Sequence, residues 1–271
     1  MGILKKGKKY QIKVTTLMKS HIDKGRAEFR YSELKYAMRF WWRAINISRS
    51  AERLHILETI IFGGTKSSSP IAFKPLKENK GYKAFIKEQD RNSQKDLNNL
   101  PVGTEIEFEV IQKRDGVDLK IYEDLIEIVA YLGGIGQDCK KGYGTFQIVN
   151  HYPYNSIKEL ANRIRELIQE INALTRKVEQ ELIAPTENTS EILERRLQLI
   201  QETIIKDNSD TVTDEYEYTI IDRIEIRPYK IKGNCIEKIE TKEKVDSISY
   251  YRLNNKGEGV ELLISFKAIK N

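Results

Sequence analysis

Cysteine, histidine and long apolar runs are scarce in this chain of 271 residues. Its two cysteines, Cys139 and Cys235, are too few and too far apart for a disulfide framework or a zinc site. No apolar run approaches the length that a membrane span needs. The opening residues 1–9 are basic with no apolar core after them, which argues against a secretory signal. Lys6 stands where N-myristoylation wants Ser or Thr. His21, His55 and His151 have no mutual spacing that suggests a catalytic or metal-binding pair. The expectation is a cytoplasmic protein with no cofactor, no metal and no membrane partner.

Charge is what the chain has in abundance, and it is unevenly placed. Residues 1–66 hold 15 Lys and Arg against 5 Asp and Glu, a balance of +10, so the rest sums to −4 within the net +6. A field polarised in this way suits a polyanion such as nucleic acid. Solubility alone is a serious account of the N-terminal lysines and a weaker one of the arginines that follow.

Residues 9–15 alternate apolar and polar, which predicts a half-buried strand. Residues 19–30 are polar and read as a loop. Ser32 is placed to cap a helix reaching about Ile47, with Leu34, Met38, Trp41, Trp42 and Ile45 on one face. A second helical run, 51–62, ends at Gly63-Gly64. A short strand from Ile71, an alternating strand over 105–110, an amphipathic helix over 119–132 and a strand over 144–149 follow. Strand, helix, strand, strand, helix, strand predicts an α+β fold with a ferredoxin-like (RRM-like) N-terminal domain over 1–152.

Residues 153–271 read as a second region. Ser156 with Glu159 forms a capping box, and Ile157, Leu160, Ile164, Leu167, Ile171, Leu174 and Val178 recur at three and four residues. The helix breaks at Ala184-Pro185, and 190–206 completes a predicted helical hairpin (156–206), serving as an internal hairpin or a partner-docking face. Strands over 216–226, 234–241, 248–253 and 260–269 make a C-terminal β-rich or degenerate ferredoxin-like region, 214–269.

Two stretches carry candidate chemistry. Lys35, Arg39 and Arg43 are spaced by four, so they drift only about 40° per step and form one basic stripe about 10–12 Å long, matched to two or three phosphates. Few acids lie near them in sequence. Trp41 and Trp42 belong with the core, while Tyr36 and Phe40 lie nearer the stripe and are the better stacking candidates. Arg30, Lys66 and Ser67 flank the region. The second stretch, GGIGQDCKKGYGTF, has five glycines within residues 133–144. Gly134, Gly136 and Gly142 offer backbone amides to an anion, Lys140 and Lys141 add charge, and Tyr143 adds a flat face. It is neither a dinucleotide fingerprint nor a Walker loop, because it follows a helix and lacks Gly-Lys-Ser/Thr. A tight helix-to-strand turn needs fewer glycines, which favours contact with a ligand.

SELKYAMRFWWRAI, followed by ETIIFGG, SSSPIAF and the glycine-rich loop, resembles the RAMP superfamily of CRISPR proteins. Most of all it resembles the first RAMP subunit of the Cmr (type III-B) effector complex. Arg39-Phe40-Trp41-Trp42-Arg43 carries the similarity, with Ser32, Glu58, Phe62-Gly63 and Ser69; Tyr36 stands where that pattern has glycine. The resemblance spans 9–150. It implies a non-catalytic RNA-binding subunit in a ribonucleoprotein, with guide RNA, target RNA and other effector subunits as partners. An alternative is an endoribonuclease using His21 or Asp23, since related subunits cut RNA from such a loop. A third reading, compatible with RNA binding, is a scaffold module that docks neighbours through 156–206.

Overall fold

The computed structural model describes residues 7–19, 21–23, 26–46, 51–64, 67–77, 82–83, 99–137, 139, 143–149, 151, 156–183, 218–229, 247–253 and 259–269. In chain order the elements are β1 (Gly7–Val14), β2 (Met18–Lys19), β3 (His21–Asp23), β4 (Arg26–Glu28), α1 (Tyr31–Ile45), α2 (Ala51–Phe62), β5 (Ile71–Pro75), β6 (Tyr82–Lys83), β7 (Asn99–Leu100), β8 (Glu105–Gln112), α3 (Leu119–Leu132), β9 (Phe146–Ile148), α4 (Ile157–Ile183), β10 (Tyr218–Tyr229), β11 (Ser247–Leu253) and β12 (Gly259–Ile269).

The main sheet runs β5-β8-β1-β9, with every neighbour antiparallel. Alternation decides its two faces. Tyr10, Ile12 and Val14 of β1 and Ile106, Phe108 and Val110 of β8 point into the core. On the other face the register sets Lys9 against Glu109, Gln11 against Glu107 and Lys13 against Glu105. This outer face is laced with opposite charges, and Lys77 reaches Glu107 at 2.8 Å. It offers no row of aromatics on which bases could stack.

The segment expected as a loop over 19–30 instead contains β3 and β4, which pair with each other, while β4 also pairs with β6. Strands of three residues are too short to show a period, and they are defined by their pairing, β3 with the adjacent β4 and β4 with the distant β6.

α1 starts one residue before Ser32, with Arg30 at the N-cap position and no side-chain cap, and it ends at Ile45. Its predicted apolar face is buried as expected: Leu34, Met38, Trp41, Trp42 and Ile45 are all at most 1% exposed. The tryptophans pack mainly among helices. Trp42 meets Phe62 edge-on at 6.0 Å and donates its indole N–H to Thr175 Oγ1 at 3.1 Å. α3 is the most enclosed helix, capped by Asp118, whose carboxylate accepts from the Lys120 amide at 3.0 Å.

α4 begins at the predicted capping position, where Ser156 Oγ accepts from the Glu159 amide at 3.2 Å. Its stripe of Leu160, Ile164, Leu167, Ile171 and Val178 joins the core that holds α1 and α3. Burying each such side chain contributes roughly 1.5–3 kcal/mol. Glu127 of α3, buried, receives two bonds from Arg163 at 2.8 Å and one from His151 at 3.0 Å, which clamps α4 in place. The apolar face considered for partner docking is therefore used internally over α4. The predicted second helix, 190–206, and the strand over 234–241 lie outside the described residues. β10, β12 and β11 form an antiparallel sheet in that order. Among the described residues no helix is long and apolar enough to cross a membrane.

Candidate nucleic-acid interface

α1 presents two faces outside the core. Lys35, Arg39 and Arg43 lie along one, and Ser32, Tyr36 and Phe40 along the next, about 100° round the helix. The arginines are not free of acids. Glu58 of α2, only 3% exposed, accepts from Arg39 Nε at 2.6 Å and from the Arg43 guanidinium at 3.1 and 3.3 Å. The expectation of few acids around the stripe is corrected here, because Glu58 is brought in from the next helix. One carboxylate between two guanidiniums leaves this pair with a net single positive charge. It also holds both side chains in place, with about a third of each still exposed and Arg39 over the Phe62 ring at 6.0 Å.

Among the described residues no acid pairs with Lys35 in this way. Partial burial lowers its proton affinity, and the positive charges of Arg39 and Lys113 lower it further. Lys113 follows β8 and is pinned by its amide to Pro70 O at 2.7 Å. Beside it, Arg114 donates to Ser68 Oγ. Sequence reasoning missed both residues. Their signal was the Lys-Arg pair just before the Asp115-Gly116 turn. Ser67 lies in a turn that folds back on Gly63, whose φ is +82° and where a Cβ would stand 2.7 Å from Ser67 O. Gly64 and Ser67 exchange backbone bonds at 2.8 and 3.2 Å.

The glycine-rich loop is built differently from the expected open amide cradle. A Cβ on Gly133 would lie 2.5 Å from Trp41 Nε1, and one on Gly134 would lie 2.6 Å from Tyr143 O. Gly144, at φ +68°, passes so close to Ile135 that a Cβ would be 1.8 Å from its carbonyl oxygen. Its own N–H goes to Leu17 O at 2.9 Å. These three glycines therefore serve close packing, Gly133 against the Trp41 indole and Gly134 and Gly144 against backbone, so a tight turn accounts for them without a ligand. Gly136 also has a positive φ of 91°.

Gly134 and Gly136 do reach the helix. With Glu33, Tyr36, Phe40 and Trp41 they line a cleft of about 320 Å³. Tyr36 is 68% exposed at its lip. The loop thus meets the aromatic side of α1, and the cations occupy the adjacent side. Tyr143 helps to close the loop through its backbone.

Residues 14–147 match the family model of the RAMP superfamily. Both walls of the cleft, the basic stripe and Glu58 lie inside the RAMP match. Over the whole chain the fold is similar to a crystal structure of Cmr1 from Pyrococcus furiosus in its apo form. That likeness has 18% identity and a TM-score of 0.55, and covers 97% of this chain and 88% of the other. It is also similar to a chain in a cryo-EM structure of the type III-B Cmr-beta bound to cognate target RNA, at 10% identity and a TM-score of 0.52, covering 96% and 94%. No curated protein sequence matches the chain.

The remaining RAMP candidates divide simply. Arg30 caps the backbone of α1 and sits half-buried beside Glu33. His21 and Asp23 lie in β3, opposite Glu28 and Arg26 of β4. Lys66, Lys140, Lys141 and Gly142 lie outside the described residues.

Proposed function

We propose that the chain is a non-catalytic RNA-binding subunit of a type III-B (Cmr-type) CRISPR ribonucleoprotein. It grips the 3′ region of the guide RNA and the target RNA paired there, beside other effector subunits in the cytoplasm. In this reading the main sheet with α1 and α3 is a ferredoxin-like RAMP domain, followed by a helical and β-rich second region.

One observation carries the proposal: Lys35, Arg39 and Lys113 crowd together, and the burial and like charge felt by Lys35 make its charged form costly. A phosphate backbone laid across this edge relieves the repulsion and releases counterions. The contacts would be sequence-independent and would set the register of the RNA. The charge-paired outer sheet face supports placing the RNA at α1. Similarity to a Cmr structure bound to target RNA supports the choice of ligand. The test is RNA affinity against salt for the purified full chain. Lys35→Ala with Lys113→Ala should lower the salt slope by about two and leave the RNA uncut. An unchanged slope with the fold intact overturns the proposal.

A further inference from the structure

The cleft between α1 and the glycine-rich loop holds an acid with one oxygen that no donor reaches among the described residues. The acid is Glu33, on the cleft wall, and the oxygen is Oε2, which is shut off from solvent. Burial raises the proton affinity of this carboxyl, and Arg30 only partly opposes the effect. A buried acceptor left without a donor costs roughly 1–3 kcal/mol, so the arrangement is poor for the isolated chain and suited to a ligand that brings donors.

The rest of the cleft describes that ligand. Tyr36 and Phe40 give aromatic surface on one side, and Gly134 and Gly136 give side-chain-free backbone on the other. Such a slot takes a flat ring. The adjacent helix face carries Lys35, Arg39 and Arg43, so the ring's carrier is best anionic. A guanidinium from a partner protein would also offer two donors, but it would enter beside Arg30 and the basic stripe against like charge. A neutral base on a phosphate backbone meets no such penalty.

We infer that the cleft is a nucleobase pocket that selects guanine. As the base enters and lies against Tyr36 and Phe40, the Glu33 carboxylate turns out of its sealed position and accepts N1–H and N2–H on its two oxygens. Among the four bases only guanine sets two donors side by side on its Watson–Crick edge. Uracil flanks its single N–H with two carbonyls, and adenine and cytosine place an acceptor next to their amino group. Unstacked bases in single-stranded RNA are read in this way, by stacking together with edge hydrogen bonds. The inference rests on the RNA-binding reading above and adds base discrimination to it.

The experiment measures fluorescence anisotropy of the full chain with labelled octauridylates that carry one central guanosine, adenosine or inosine. The wild type should bind the guanosine oligomer about tenfold tighter than the adenosine one, the scale of one good bidentate base contact. Inosine, which lacks the 2-amino group, should fall between. Glu33→Gln and Glu33→Asp should each bring guanosine and adenosine within about twofold. Tyr36→Ala should weaken all oligomers alike. Binding without preference in the wild type, or a preference that survives Glu33→Gln, overturns the pocket and leaves RNA binding standing. Absence of any RNA binding overturns both. Loss of preference accompanied by competitive binding of an arginine amide in the cleft assigns it to a partner protein and also overturns the inference.

Discussion

Glu58 Oε1 lies 2.6 Å from Arg39 Nε and 3.1 Å from an Arg43 guanidinium nitrogen, so one buried carboxylate joins two turns of α1 to α2. The arrangement divides the basic stripe into clamped and unclamped members. Arg39→Ala should destabilise the fold by about 1–2 kcal/mol, because Glu58 keeps Arg43 as a partner. It should lower the salt slope of RNA binding by less than one, since half of its charge is already answered. Lys113→Ala should do the reverse, leaving the urea midpoint unchanged and lowering the slope by about one. Equal slopes for the two variants would refute the division.

The indole N–H of Trp42 is satisfied by Thr175 in surroundings that are otherwise apolar. Thr175 in turn donates its hydroxyl to Ile171 O at 2.7 Å. Thr175→Val keeps the volume but strands a buried donor, for a cost of about 1–3 kcal/mol. Thr175→Ser keeps the acceptor and should cost much less. Urea unfolding of the two variants measures the difference, and equal losses would mean that the bond contributes nothing.

Two glycines with left-handed backbone should respond very differently to alanine. At Gly116, φ is +94° and nothing lies within 4 Å of the missing Cβ, so only the conformational penalty of about 1 kcal/mol applies. At Gly144 the Ile135 carbonyl blocks the Cβ at 1.8 Å. Gly144→Ala should abolish soluble expression or cut the melting temperature severely, with Gly116→Ala close to the wild type. Similar melting temperatures for both would contradict the close approach of these backbones.

Asp124 is buried on α3, and loss of hydration pushes its carboxyl up to about 6 despite its bond to Lys120, with Glu170 adding repulsion. The folded chain therefore holds this proton more tightly than the unfolded chain does. Stability falls as pH rises from about 4 to about 6, and the full cost persists above that range. The ceiling on that cost is about 3 kcal/mol. Asp124→Asn should raise the melting temperature at pH 7.5 by several degrees, at roughly 2–4 °C per kcal/mol. The gain should shrink toward pH 4. A gain that stays constant with pH would exclude titration as its source.

Periodicity made much of this chain legible. The apolar face of α1, the capped start and stripe of α4, and the alternation of β8 are local patterns, so the residues themselves carry them. The Arg39-Phe40-Trp41-Trp42-Arg43 segment and the glycine-rich loop pointed to the superfamily whose model matches residues 14–147. Pairings between distant segments were not legible. Glu58 beneath two arginines, Lys113 beside Lys35, Trp41 against Gly133 and Leu17 against Gly144 join residues from 15 to about 130 positions apart. Three-residue strands likewise gave no period to read.

The amino-acid order alone determined where the longer helices and strands form and which face of each is apolar, because those depend on neighbours two to four positions away. Folding in three dimensions decided which cations are neutralised, which glycines are steric necessities and which acid is left without a donor. Those outcomes depend on what the chain brings back across the core, and no local pattern encodes it.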